Sequence, residues 1–155
     1  MDSEPEAGIY AREPAYLEHY VQVGVAGGRV LSVDFPEAPD ADAGTYLPLL
    51  DRVEAYLEGS EKDFSGVDVA MTMPTDQRDV LEVLRDVPYG ENVSVDALAR
   101  MAPGLDPDDE EAGQLVRTAL AENPAPLVIP DHRVRDGPSA APSKVEQRFR
   151  SLEGL

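Results

Sequence analysis

Apolar and polar residues alternate along two short segments, "YVQVGVA" (20–26) and "RVLSVDF" (29–35), on either side of Gly27-Gly28. Alternation with period two gives a strand one apolar face, and a Gly-Gly pair is favoured at the centre of a tight two-residue turn. The pattern predicts a β-hairpin. Beyond the polar loop "PEAPDADAGT" the period changes. Leu50, Val53 and Leu57 in "YLPLLDRVEAYLEG" recur at helical intervals, and Gly59 ends the run. "SEKDFSGVDVAMTMP" reads as a connector holding one strand, "VDVAM".

From Pro74 onward the helical period dominates. Thr75 is placed to cap "DQRDVLEVLRDV", whose Val80, Leu81, Leu84 and Val87 share a face. "PYGEN" reads as a turn, with Gly90 suited to unusual dihedrals. Ser94 is placed to cap the short helix "VDALARM", which "APGLDP" breaks. The acids of "DDEE" suit the positive end of the next helix, "EEAGQLVRTALAEN", with Leu115, Ala119 and Leu120 facing the core. Pro124 ends it, "PLVIP" reads as a short strand, and a last helix covers about 143–153. A short helix, a turn and a longer helix make a helix-turn-helix arrangement. The expected class is α+β, with a hairpin/helix lobe at residues 1–73 and a mainly helical domain at 74–155.

At 42% hydrophobic, the 155-residue chain can bury a core in one ordinary domain or two small ones. No apolar run approaches the ~18 residues of a membrane span, and the opening "MDSEPEAG" is acidic, unlike a signal peptide. A soluble cytoplasmic protein is expected. The chain has no cysteine, which excludes disulfides, thiolate nucleophiles and zinc–thiolate sites. Its two histidines, His19 and His132, lie far apart in sequence, so neither a metal nor a cofactor is expected.

Charge changes the picture of partners. There are 31 acids against 13 bases, a net −18, and Lys62 and Lys144 are the sole lysines. One reading is an acidic protein that seeks basic partners. The favoured one is adaptation to a halophile's salty cytoplasm, because the acids are scattered as well as clustered. At about 1 M salt the Debye length is about 3 Å, so net charge no longer repels a polyanion at a distance. The charge is also uneven: residues 1–70 hold 15 acids and 4 bases, residues 112–155 hold 5 and 6.

The least acidic part contains "NPAPLVIPDHRV" (123–134), where Asp131, His132 and Arg133 stand side by side after an apolar run. Together, "VLEVLRDVPYGENVSVDALAR" and "ALAENPAPLVIPDHRV" resemble the C-terminal domain of the methylated-DNA–protein-cysteine methyltransferases and their cysteine-less relatives, the alkyltransferase-like proteins. The "PYG" turn, "NP" and "P-x-HRV" carry the likeness, which is strong over about residues 74–134. The hairpin and "LLDRVEAYLEG" are similar in outline to that family's variable N-terminal domain.

The resemblance implies a winged-helix-type DNA-binding domain that extrudes a damaged guanine and presents it to a cysteine activated by a neighbouring histidine and a glutamate. Here the acceptor position is Asp131. His132, Arg133 and Asn123 match the motif, Pro130 precedes the acceptor, and Glu153 matches the glutamate of the last helix. A carboxylate is a far poorer nucleophile toward an alkyl carbon than a thiolate, and its ester would hydrolyse, so suicide repair is not expected. The family's intercalating arginine aligns with Gln114, and Arg117 lies on nearly the same helical face. The tyrosine that helps turn the target phosphate aligns with Val95. "RDGPSAAPS" replaces the glycine-rich loop after "HRV", and is expected to leave the pocket more open.

Candidate DNA contacts are therefore Gln114, Arg117, Arg100 and Tyr89, each also readable as an ordinary surface or turn residue. Asp131 could accept hydrogen bonds from the amino edge of an extruded guanine, polarise His132, or simply fill a position freed from catalysis in a surface cleft. Arg133 and Asn123 read as braces of the turn, and His19 as structural. The expected function is recognition of alkylated or distorted guanine in duplex DNA without alkyl transfer, by a monomer that hands the lesion to a repair partner. The rivals are an enzyme using an Asp131/His132 pair and a degenerate scaffold that binds protein.

Overall fold

A computed structural model describes residues 7–155; the acidic opening before Ala7 lies outside them. The chain divides into two compact units, the first ending at Ala70 and the second running from Met71 to Leu155.

The first unit is built on a three-stranded antiparallel sheet in the order β1 (Gly8–Arg12), β2 (Val21–Ala26), β3 (Arg29–Asp34). The predicted hairpin is β2–β3, paired from Gln22↔Asp34 to Ala26↔Arg29, with a bulge at Gly24/Val25. Gly27 and Gly28 both take positive φ, 60° and 75°, as the twist of a two-residue hairpin turn demands. Val21, Val23, Val25, Val30 and Val33 are buried, the apolar set that the alternation assigned to one face. β1 was not foreseen, because "GIYAR" is short and carries no alternation. It pairs with β2 from Gly8↔Val25 to Arg12↔Val21. Arg12 then reaches Asp51 at 2.6 Å and Glu54 at 2.7 Å on α1 (Pro48–Leu57). The expected "VDVAM" strand is reduced to one parallel bridge, Val30↔Val69.

The second unit packs α2 (Thr75–Leu84), α3 (Val95–Met101) and α4 (Ala112–Ala121) against one another, and α5 (Ser143–Glu153) against a 3-10 turn at Asp131–Arg133. Val80, Leu81 and Leu84 of α2 meet Leu98 and Ala99 of α3 and Val116, Ala119 and Leu120 of α4 in a buried core. Leu115 is half-buried, and its place in the core belongs to Val116. Thr75 does not cap α2. Pro74, fixed at φ −54° and ψ 149°, is the cap, and its carbonyl accepts from Arg78 N–H at 3.0 Å. Ser94 does cap α3, its hydroxyl accepting from Ala97 N–H at 3.0 Å. The acids before α4 act locally: Asp109 accepts from the Glu111 amide at 2.9 Å, and the helix begins at Ala112. Beyond the helices, strand pairing in this unit is limited among the described residues to the bridges Val93↔Val134 and Pro126↔Ile129.

Removing the α3 cap tests this reading. Ser94→Ala is expected to cost about 1 kcal/mol of stability, the usual worth of a serine N-cap, read as a lowered urea midpoint with unchanged slope.

Candidate functional site

The expected strand "PLVIP" is a sequence of turns. Pro124, Pro126 and Pro130 each lack the N–H that a ladder needs. Leu127 takes a φ of 82°, and Ile129 N–H donates back to Ala125 O at 2.8 Å. Residues 125–134 are nonetheless all buried. The chain enters the 3-10 turn at Asp131 and sends the side chains of Asp131, His132 and Arg133 into the interior.

Glu153, in the last turn of α5, collects two of them. Its Oε2 accepts from His132 Nε2 at 2.6 Å and from Arg133 Nη2 at 3.1 Å. Its Oε1 accepts from Arg133 Nε at 2.8 Å and from the Gly90 amide at 2.9 Å. Arg133 also donates from Nη1 to Val87 O at 2.8 Å, and its guanidinium lies over the Tyr89 ring at 5.9 Å. Tyr89 Oη donates to Leu152 O at 3.1 Å. The "PYG" turn, the "HR" of the motif and the end of α5 are thus one assembly. Phe149 packs a tilted ring on His132, 5.3 Å between centroids.

Asp131 faces another set. Ser139 Oγ donates to its Oδ1 at 2.6 Å, while the Ala140 amide and Asn123 Nδ2 donate to its Oδ2 at 2.9 and 3.0 Å. Asn123 in turn donates to Ile129 O and accepts from the Ala125 amide, which ties the end of α4 to the turn. Ser139 Oγ accepts from the Ala141 amide at 3.0 Å. The carboxylate is 1% exposed, so the expected open pocket in a surface cleft is not present. The loop after "HRV" folds over the acid because Gly137 lets the backbone pass against Leu120, Val134 and Val95, where a Cβ would meet the Leu120 side chain at 2.6 Å. Two donors on the incoming loop then join Asn123 to satisfy a buried anion. Asp131 does not polarise His132 either: each ring or carboxylate partner given above belongs to a different group.

The electrostatics follow from these partners. Burial pushes the Asp131 carboxyl up to about 6, against the hydrogen bonds of Ser139, Ala140 and Asn123, with Glu146 adding to the rise. Burial also works against ionised Glu153, but hydrogen bonds from His132, Arg133 and the Gly90 amide outweigh it and bring that carboxyl down to about 2. Burial lowers His132 despite its bond to Glu153. A neutral imidazole beside an ionised carboxylate must carry its proton on Nε2, which leaves Nδ1 as a buried acceptor with no protein partner.

Residues 75–145 match the family model described as 6-O-methylguanine DNA methyltransferase, DNA binding domain. A methylated-DNA–protein-cysteine methyltransferase of Methanopyrus kandleri is 32% identical over 97 residues, 62% of this chain and 69% of that protein. This chain belongs to that methyltransferase family. A DNA base-flipping protein of Thermus thermophilus is 35% identical over 101 residues, covering 64% of each protein. A second methylated-DNA–protein-cysteine methyltransferase, from Methanothermobacter thermautotrophicus, is 33% identical over 69% of this chain and 60% of its own length. The fold agrees over nearly the whole chain. The Mycobacterium tuberculosis protein OGT in complex with DNA superposes with a TM-score of 0.73 at 22% identity, covering 95% of this chain and 91% of that one. The methyltransferase of Pyrococcus kodakaraensis gives 0.71 at 20% identity, over 96% of this chain and 100% of that one.

Within this methyltransferase family the chain is a cysteine-less member, with Asp131 at the position the resemblance assigns to the acceptor. Of the remaining candidates, Gln114 and Arg117 are exposed on one stripe of α4, and Arg100 is exposed on α3. Arg100 and Arg117 make no ion pair among the described residues. Gln114 Nε2 approaches Thr118 Oγ1 at 3.5 Å. Val95 is buried, its amide donating to Asp136 at 2.7 Å. Tyr89 belongs with Arg133 and Leu152 and not with the α4 stripe. His19 Nδ1 donates locally to Leu17 O at 3.2 Å. Ser139 and Ala140 were missed, since a serine and an alanine in a loop announce nothing. The available signal was Gly137-Pro138, a turn able to bring the chain back.

Two outcomes test the buried pair. Glu153→Ala strands the Arg133 charge and should lower stability by about 3–5 kcal/mol in urea unfolding, the usual effect of breaking a buried ion pair. The second concerns pH. Asp131 holds its proton more tightly when folded, so its contribution is full below its ordinary 3.8 and is lost as pH rises through about 6. His132 does the opposite: its contribution is present above its ordinary 6.5 and is lost as pH falls. The two oppose each other between pH 6.5 and 4. Asp131→Asn removes one side, and its urea midpoint should fall more steeply over that range than that of the wild type. Parallel profiles would show that Asp131 does not titrate there.

Proposed function

We propose that this protein binds duplex DNA through the α3–turn–α4 unit, recognises an alkylated or distorted guanine, and marks it for repair without accepting the alkyl group. One observation carries the reading: the family frame around the acceptor is complete, from Asn123 through His132, Arg133 and Glu153, while the acceptor itself is a buried, hydrogen-bonded carboxylate. Such a group has internal donors on both oxygens and is enclosed, and the chain holds no cysteine thiol to take up an alkyl group.

Gln114 and Arg117 stand on the exposed stripe of α4, where a recognition helix meets the duplex, and Arg100 on α3 suits a phosphate. A base is extruded at a cost of a few kcal/mol, less for a damaged or mispaired one, which supplies part of the selectivity. The scattered carboxylates fit a cytoplasm of high salt. There, phosphate contacts weaken steeply and base contacts must supply most of the affinity. The enzymatic rival loses ground, because Asp131 and His132 face separate partners.

Fluorescence anisotropy with duplexes bearing or lacking an alkylated guanine, at stated molar potassium chloride, tests this. The alkylated duplex should bind more tightly, and mass spectrometry should find no alkyl group on the protein afterwards. Arg117→Ala should weaken both complexes and reduce the slope of log K against log salt by about 1. Gln114→Ala should weaken the lesion complex more than the plain one. Equal, negligible binding of both duplexes would falsify the reading.

A further inference from the structure

The donors around Asp131 are of two kinds. Asn123 is anchored at the end of α4 by its bonds to Ile129 O and the Ala125 amide. Ser139 and Ala140 sit in the irregular segment between the 3-10 turn and α5. Any ligand that reaches Asp131 must displace the loop and leave Asn123 in place. The carboxylate then keeps one hydrogen bond of three in a buried setting. An unpaired buried acceptor is costly, and more so when charged. An entering group must return the lost donors.

Guanine carries two on its Watson–Crick edge, N1–H and the N2 amino group. They are parallel and spaced to meet the two oxygens of one carboxylate, as paired donors and acceptors do in bidentate recognition. Alkylation at O6 removes the N1 proton and turns N1 into an acceptor, whose lone pair would oppose the carboxylate. Alkylation at N7 leaves both donors and adds a positive charge to the ring. Burial raises Asp131 only to about 6, so the group is anionic at neutral pH, and a cationic partner offsets the cost of that burial.

We propose that Asp131 is the specificity-determining acceptor of the base site, selecting an extruded guanine by its N1–H and N2 donors, so that guanine alkylated at N7 is preferred over guanine alkylated at O6. This rests on the reading that the protein engages an extruded guanine at Asp131. Ser139 and Ala140 are then stand-ins for the ligand, holding the anion satisfied until the base replaces them. No bond is made or broken in the exchange.

Asp131→Asn is the informative variant because the fold can accommodate it. The amide oxygen accepts from Asn123 and Ala140, and the amide nitrogen donates to Ser139 Oγ. It presents one acceptor and one donor to the base where the wild type presents two acceptors. Affinities should be measured by anisotropy for three otherwise identical duplexes holding guanine, O6-methylguanine, or N7-methylguanine stabilised by a 2′-fluorinated sugar.

The wild type should bind the N7-methyl duplex on the order of 10-fold more tightly than the O6-methyl duplex, the scale of one good bidentate contact. Asp131→Asn should abolish that preference while retaining binding. Ser139→Ala, which removes a competing internal donor, should bind the N7-methyl duplex at least as tightly as wild type with the preference kept. Equal binding of the two lesions, a preference for O6-methylguanine, or an N7 preference that survives in Asp131→Asn each overturns the proposal and leaves DNA lesion recognition standing. No discrimination of either lesion from plain guanine sinks both.

Discussion

The second unit is organised by one buried carboxylate. Glu153 terminates α5 and receives hydrogen bonds from an arginine, a histidine and the amide of a glycine turn. An isolated ionised carboxylate at this depth would be strongly disfavoured, so each donor is obligatory. The consequence is geometric. The "PYG" turn, the 3-10 turn and α5 must lie within hydrogen-bond reach of one another, and Tyr89, Val87 and Leu152 complete the link. Arg133 meets three partners from one rigid fork, which a lysine could not reproduce.

Asp131 and Glu153 are both buried, yet they are pushed in opposite directions. Desolvation acts on both. Glu153 has a guanidinium against it; Asp131 has only neutral donors, with Glu146 acting on it as a like charge. Neutral hydrogen bonds soften the cost of burying an anion but do not cancel it. The acceptor position is therefore polar, closed and under mild electrostatic tension, unlike a site arranged to stabilise a reactive thiolate.

The exposed face of α4, the proposed DNA-binding surface, is a modest one. Its stripe offers Gln114 and Arg117 in a molecule of net charge −18. Long-range attraction to DNA is unfavourable at low salt and is suppressed at high salt. On the proposed reading, recognition in such a molecule would depend on contacts made after encounter, at the base and the adjoining phosphates. The weight would then fall on Asp131 and the loop over it, where desolvated hydrogen bonds are insensitive to ions.

Elements with regular periods were legible from the chain itself. The β2–β3 hairpin, α1, α2, α3 and α5 follow from alternation, helical spacing and the Gly27-Gly28 turn, because these are local consequences of which side chains must be buried. The likeness in "NP…P-x-HRV" placed Asn123, Arg133, His132 and Glu153 near a common site. Non-local pairing was not legible: β1 exists by virtue of the strand it joins, and "PLVIP" is apolar because it is buried, not because it is extended. The closure over Asp131 was the largest departure. Nothing in "DGPSAAPS" states that Ser139 and Ala140 will donate to an acid upstream; that needs Gly137 to clear Leu120 and Val95, residues from other helices. The sequence by itself determined the periodic elements, the absent thiol and the family frame. Only the tertiary structure decided which groups satisfy each buried charge, since a hydrogen-bond partner is chosen by distance in space and not along the chain.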